Sequence, residues 1–226
     1  MNVEPEGKKV AIIDFQMGNL FSVLHACKHV GLEPVITSSA KEIMNADGVI
    51  LPGVGAFGDA ISNIRKLGLD TAIKDYLSSG RPFMGICLGL QILFTESEEF
   101  GSFKGLDIIA GCVKKIPQWT SDGRQIKVPQ IGWNNIQPTN AEQWRNSPLR
   151  GISHGEYMYF VHSFFVQPDD SKIVLSVTDY EGINYCSGII KHNLFACQFH
   201  PEKSAREGLK IYSNWASMIQ NNQESR

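Results

Sequence analysis

From Val10 to Ile86 short apolar runs alternate with longer amphipathic stretches. That alternation is the pattern of parallel strands joined by crossover helices, and it restricts the chain to an α/β architecture. Val10-Ala11-Ile12-Ile13-Asp14 reads as a buried strand. Leu20 to Val30 follows as a helix with Leu20, Val23, Leu24 and Cys27 on one face, Asn19 as its N-cap and Gly31 as its stop. Asp47 to Leu51 is a second strand, broken by Pro52-Gly53-Val54-Gly55. Helices are predicted at about Asp59 to Leu67 and Asp70 to Ser79, then a strand at Pro82 to Ile86 that runs directly into helical spacing over Cys87 to Phe94.

The second half changes character. Strand-like runs fall at Asp107 to Ile116, Gly132 to Gln137, Tyr157 to Val166, Ile173 to Thr178, Asn184 to Lys191 and Leu194 to Phe199, with few helices between them. Short, turn-rich connections predict antiparallel additions to the parallel sheet, closed by a helix from about Ala205 to Ile219. Asn221 to Arg226 reads as a solvated tail.

Composition narrows the function. With 226 residues, 42% of them hydrophobic, the chain suffices for one domain over 1–226 with a core at about 9–220. Lys and Arg total 21 against 23 Asp and Glu, a net charge of −2, so no general attraction to nucleic acid or an anionic membrane is expected. The five cysteines, Cys27, Cys87, Cys112, Cys186 and Cys197, are widely spaced and contain no C-x-x-C pair, which reads as reduced thiols without metal. The opening M-N-V-E-P-E-G-K-K is acidic where an export signal is basic, and a cytoplasmic address is expected.

The most informative local motif is Gly85-Ile86-Cys87-Leu88-Gly89, placed where a strand turns into a helix. The glycines relieve crowding in a turn that lifts Cys87 clear of the sheet, and the next N–H can face an oxyanion. Taken alone, Cys87 could equally be a buried core residue. Far along the chain stands Gln198-Phe199-His200-Pro201-Glu202-Lys203-Ser204. His200 has the basicity to take a thiol proton and return it to a leaving group, and Glu202, two residues on across a stiff proline, can orient its ring. His25 and His29 on the first helix, and His154 and His192 in turns, receive surface or capping readings, and His162 reads as a strand histidine that braces a site.

These residues resemble the class I glutamine amidotransferases. Asp14 with Met17-Gly18-Asn19-Leu20, Leu51 to Phe57, Gly85 to Gln91, Ser97 to Gly101, Gly132-Trp133-Asn134, Tyr159 to Ser163 and Gln198 to Ser204 carry the resemblance, over nearly the whole chain. Within the family they look like the glutaminase subunits of imidazole glycerol phosphate synthase. The resemblance implies a flavodoxin-like α/β fold with added antiparallel strands and no cofactor. It also implies hydrolysis of glutamine to glutamate and ammonia by Cys87 as nucleophile, His200 as acid and base, and Glu202 as its orienter. Oxyanion donors would be the backbone N–H groups of Leu88 and Val54; substrate contacts would come from Gly53, Gly55, Gln91, Glu99, Ser163 and Phe164. The partner would be a barrel-shaped cyclase that receives the ammonia, met by Asn19, Trp133, Asn134 and Lys203, with Trp133 equally readable as a core aromatic.

Departures from that pattern, Phe15-Gln16 and Val128-Pro129-Gln130-Ile131, lie where a partner or ammonia tunnel is expected. They keep open a paralogous glutaminase feeding an amidino-sugar synthase for surface polysaccharide. A catalytically silent docking subunit and a free-standing hydrolase of glutamyl peptides are the readings from other classes.

Overall fold

A computed structural model describes residues 7–120 and 122–224. In chain order its elements are β1 (Lys9–Ile13), α1 (Leu20–His29), β2 (Glu33–Thr37), α2 (Ala40–Asn45), β3 (Gly48–Gly53), α3 (Phe57–Lys66), α4 (Leu69–Ser78), β4 (Phe83–Cys87), α5 (Leu88–Gln91), β5 (Phe94–Ser97), β6 (Phe103–Lys104) and β7 (Ile109–Lys115). There follow β8 (Gln130–Pro138), α6 (Ala141–Arg145), β9 (Glu156–His162), β10 (Phe164–Pro168), β11 (Val174–Tyr180), β12 (Ile183–Lys191), β13 (Leu194–Cys197) and α7 (Ala205–Glu224).

The sheet runs β2-β1-β3-β4-β13-β12-β10-β7-β5-β6. Its first five strands are mutually parallel, and β13 lies beside β4 although the whole antiparallel half separates them in sequence. β12, β10 and β7 then extend the sheet, each antiparallel to the strand before it, and β5 pairs β7 in parallel. One face is covered by a core containing Ile43, Phe57, Ile61, Ile73 and Tyr76 from α2, α3 and α4; the other is covered by Val23, Cys27, Tyr212 and Trp215 from α1 and α7. Burial on both faces explains why β1, β3, β4 and β13 read as continuous apolar runs instead of alternating ones. No helix among the described residues is long and apolar enough to cross a membrane.

Several expectations need correction. The helical run over Cys87 to Phe94 is a single turn, Leu88–Gln91, and Phe94 already belongs to a strand. Backbone pairing decides this: Leu106 N–H donates to Ile92 O, and Ile108 and Ile109 N–H both donate to Leu93 O. The run Tyr157 to Val166 is two strands broken at Ser163, with β9 pairing β8 and β10 pairing β7 and β12. Asn19 stands at the N-cap of α1 without capping it through its side chain. α7 continues through Glu224, so 221–224 are helical and not a loose tail; the last two residues of that predicted tail, and the acidic start over 1–6, lie outside the described residues.

Candidate functional site

Cys87 ends β4 with φ 53° and ψ −108°, a backbone conformation that side-chain-bearing residues rarely adopt. Strain of this kind persists only where the surroundings enforce it. A Cβ on Gly89 would stand 1.7 Å from the Leu51 carbonyl oxygen, and one on Gly85 would stand 3.0 Å from Ala196 Cβ. The second glycine of the G-x-C-x-G spacing is therefore a packing requirement, since the Leu51 backbone leaves no room for a side chain at Gly89, while at Gly85 a methyl would require its neighbours to give way slightly. The β3–β4 register sets Gly53 opposite Cys87, so the Gly53-Val54-Gly55 turn leaves its strand beside the sulfur.

β13 delivers the second half of the site from the other side of β4, with Cys197 paired to Ile86. Three residues on, His200 donates its backbone N–H to Tyr159 O at 2.9 Å, and its carbonyl accepts from Ser204 Oγ at 2.7 Å. Its Nδ1 lies 2.8 Å from Glu202 Oε1, with both side chains only 2% exposed. A carboxylate can only accept, so Nδ1 carries the proton and Nε2 is left for other work. His200 Nε2 and Glu202 Oε2 are buried without hydrogen-bond partners among the described residues. Burial pulls the His200 pKa down, but the nearby Cys87 sulfur and the bonded Glu202 outweigh it and lift His200 to about 10.

In front of the sulfur opens a cavity of about 410 Å³. Val54, Gly55 and Leu88 border it on the elbow side, and Ser163, Phe164 and Gln91 on the opposite side. Gly53 is not at its wall but behind it, where a Cβ would meet Phe15 Cζ at 2.9 Å. Glu99 closes one end; its Oε2 accepts from Phe57 N at 2.6 Å, while burial pushes its carboxyl up and that bond pulls it down. Three larger hollows, one at the β2 edge, one where β4 and β13 begin and one between the end of α1 and the start of α7, lie away from the elbow.

Gln91 and His162 meet at one atom. The Phe164 carbonyl accepts from Gln91 Nε2 at 2.9 Å and lies 2.9 Å from His162 Nδ1, so both of its lone pairs are used. His162 also stands 3.1 Å from the Tyr185 hydroxyl, which donates to Gln130 Oε1 at 2.8 Å. It is a bracing residue, held neutral at ordinary pH because burial, with the adjacent His200, depresses its pKa to about 4 despite the Phe164 bond. Missed in the sequence were Pro129 and Val161, which line the cavity, and Gln198, whose Nε2 lies 3.5 Å from Cys87 Sγ. The two-residue spacing of Gln198 from His200 at a strand end was the available signal.

The four residues expected at a partner surface divide. Trp133 is 53% exposed and is no core aromatic. Its edge meets Tyr159, with ring centroids 6.1 Å apart, and Lys203 Nζ stands 5.7 Å from the same ring. Ile131 and Tyr157 share that outward face through the β8–β9 register. Asn134 alternates to the other face and spends its Nδ2 on Asp179 O at 2.8 Å, and Asn19 is half-buried at the start of α1.

Residues 11–217 match the glutamine amidotransferase class-I family. The chain is 46% identical over 211 residues to "Imidazole glycerol phosphate synthase subunit HisH" of Caldanaerobacter subterraneus subsp. tengcongensis, covering 93% of this chain and 98% of that one. A protein of the same description from Rhodopirellula baltica is 45% identical over 210 residues, covering 92% of this chain and 97% of the relative. Among solved structures, one described as a glutamine amidotransferase superposes with a TM-score of 0.69 at 15% identity, covering 93% of this chain and 98% of that one. PurLQS from Thermotoga maritima gives 0.68 at 19% identity, covering 96% and 99%. At those identities the structural likeness speaks for the fold.

Proposed function

The chain belongs to the glutamine amidotransferase class-I family, and from that premise we propose that it is the glutaminase subunit of imidazole glycerol phosphate synthase in histidine biosynthesis. It hydrolyses glutamine to glutamate and ammonia and passes the ammonia to a barrel-shaped cyclase subunit. The observation that carries this reading is the convergence, at the carboxyl ends of β4 and β13, of a strained cysteine and a buried His200–Glu202 pair behind a cavity fit for an amino acid.

Cys87 Sγ attacks the side-chain carbonyl carbon of glutamine, and His200, charged through its Nε2 proton, gives that proton to the departing ammonia. His200 then takes a proton from water, which attacks the thioester carbon; the C–S bond breaks, glutamate leaves and the sulfur is restored. Both steps pass through a tetrahedral oxyanion. Leu88 N–H, at the first turn of α5 where no intrahelical acceptor exists, and Val54 N–H are its donors, each worth a few kcal/mol in such sites. Glu99 suits the substrate ammonium. Gln91, with Nε2 committed to Phe164 O, offers the substrate its Oε1. Ser163 and Phe164 present backbone groups to the substrate carboxylate, and Gly55 gives the turn its closeness.

The exposed aromatic face of β8 and β9, Ile131, Trp133, Tyr157 and Tyr159, with Lys203 beside it, is where the cyclase docks. Because uncoupled ammonia is wasted, the isolated chain works slowly and the cyclase with its ribonucleotide accelerates it. Glutamate release from glutamine, measured with and without the cyclase of the same organism, tests this. Strong stimulation is expected, and Cys87→Ala abolishes release while an ammonium salt still drives the cyclase. Release by Cys87→Ala, or a rate indifferent to the cyclase, would overturn the reading.

A further inference from the structure

Gln198 is fully buried one residue past the end of β13, on the stretch that leads to His200, and its Nε2 lies 3.5 Å from the Cys87 sulfur. The orientation of its amide can be worked out from the hydrogen bonds. The Phe164 backbone carbonyl can only accept, so the Gln91 atom 2.9 Å from it must be the amide nitrogen. That same nitrogen lies 3.1 Å from the Gln198 side chain and gives its second hydrogen to it, so the Gln198 atom there must be the oxygen Oε1. Gln198 Nε2 is thereby turned to Cys87 Sγ at 3.5 Å. A one-way chain of donors ends on the sulfur.

We propose that Gln198 is a thiolate-holding residue of the glutaminase site: its side-chain N–H, aimed by Gln91, donates to the ionised Cys87 sulfur and favours thiolate over thiol. This deepens the proposed glutaminase function and rests on it. An N–H donor finds only a weak acceptor in a thiol sulfur, whereas to a thiolate it makes a charge-assisted bond, the stronger kind. Among the described residues the Val161 carbonyl also stands 3.9 Å from Sγ, an acceptor for a thiol that repels a thiolate. Gln198 opposes that carbonyl. The titratable groups around the sulfur are His200 beyond β13, Cys197 on β13, Tyr185 on β12, His162 on β9, and Glu99 and Lys203, which line the same cavity; of these, protonated His200 and the positive charge of Lys203 also favour the anion. Gln198 does not line the cavity, so it serves the sulfur and not glutamine.

The test is the pH profile of Cys87 alkylation by iodoacetamide in the full chain, for wild type, Gln198→Met and Gln198→Glu, with kcat and KM for glutamine measured in the presence of the cyclase. Met keeps volume and removes the donor; Glu keeps shape and turns the donor into an acceptor. Alkylation at pH 6.5 should fall about tenfold in Gln198→Met, one unit in the profile midpoint, and further in Gln198→Glu. kcat should fall with KM nearly unchanged. An unchanged alkylation profile in a folded variant overturns the proposal. Should both variants fail to fold, the side-chain amide protons of Gln198 in wild type, followed by NMR, must shift with pH in step with alkylation and stay fixed in Cys87→Ala; no such shift also overturns it. Activity in Cys87→Ala would sink the glutaminase reading itself, whereas an inactive Cys87→Ala with an unaltered Gln198→Met profile sinks only the role of Gln198.

Discussion

Replacing Glu202 with Gln removes one charge at almost constant shape, and the structure sets out what should follow. Glu202 Oε1 is 2.8 Å from His200 Nδ1, with both side chains 2% exposed, and its Oε2 has no partner among the described residues. Nothing at Oε2 would therefore dictate how an introduced amide lies. With its oxygen toward Nδ1 the ring keeps its tautomer but exchanges a charge-assisted bond for a neutral one, a loss of about 1 kcal/mol. The amide nitrogen then sits buried and unbonded, at a further cost of about 1–3 kcal/mol in stability. With its nitrogen toward Nδ1 the ring must take the other tautomer, and Nε2 can no longer accept a proton. Averaged over both, kcat/KM should fall by about one to three orders of magnitude. The sign on pH is fixed as well. Glu202 is among the groups that raise His200 to about 10, so the wild-type rate should decline as pH rises through about 10, where the proton needed by ammonia is lost, and the variant should decline at lower pH. Steady-state glutamate release from pH 6 to 10.5, alongside thermal melts to verify folding, measures both. A folded variant with an unmoved alkaline limb would refute the view that this carboxylate sets the histidine's protonation.

Further outcomes follow from the same geometry. His162 is depressed to about 4, below its unfolded value near 6.5, so it adds stability above pH 6.5 that is lost as pH falls through about 4; urea titrations at pH 7 and pH 4.5 should show a loss on the order of 2 kcal/mol that is absent in His162→Gln. Gly89→Ala places a methyl where a Cβ is 1.7 Å from a backbone oxygen, so the variant should melt far below wild type or fail to fold, whereas an ordinary melting curve would contradict the close packing. Trp133→Ala, half-exposed as Trp133 is, should leave the melting temperature within a few degrees of wild type but weaken cyclase binding about thirtyfold by calorimetry, the behaviour of a buried aromatic anchor in an interface. Unchanged affinity would move the docking face off β8 and β9.

The elements that the sequence revealed are those whose physics is local. β1, β3, β4 and β13 stand out because both of their faces are buried, and the elbow stands out because its glycines mark close approach, absolute at Gly89 and tight at Gly85. β2 escaped notice because it is an edge strand carrying Glu33 and Pro34 with only Thr37 buried, so no apolar run marks it. α2 was detectable: Ser39 accepts from Glu42 N at 3.4 Å, and Ser-x-x-Glu is a known helix opening, but six residues hold too little periodicity to stand out. The run past Gln91 looked helical because its apolar spacing suits either state, and only long-range pairing with the segment before β7 decides against helix. Gln198 was invisible as a functional group for a related reason. Its meaning lies in the direction of its amide, fixed by Gln91 and Phe164 over a separation of 107 and 73 residues, which no local pattern contains.

β9 joins the surface proposed for the partner to the reacting residues within one strand. Period-two alternation turns Tyr157, Tyr159 and Val161 outward, while Met158, Phe160 and His162 pack inward. The backbone between those side chains holds the site. Tyr159 O accepts the His200 N–H at 2.9 Å, Tyr159 N–H donates to Ser204 Oγ at 3.0 Å, and Val161 O stands 3.9 Å from Cys87 Sγ. The Tyr159 ring meanwhile lies between Trp133 and Lys203. One stretch of backbone thus links the ring on the outer face to the contacts of His200 and of the Cys87 sulfur, and a displacement of about 1 Å in active-site geometry is enough to change a rate by two orders of magnitude. The aromatic surface of this hairpin and the polar contacts of the site therefore share one strand, Glu156–His162.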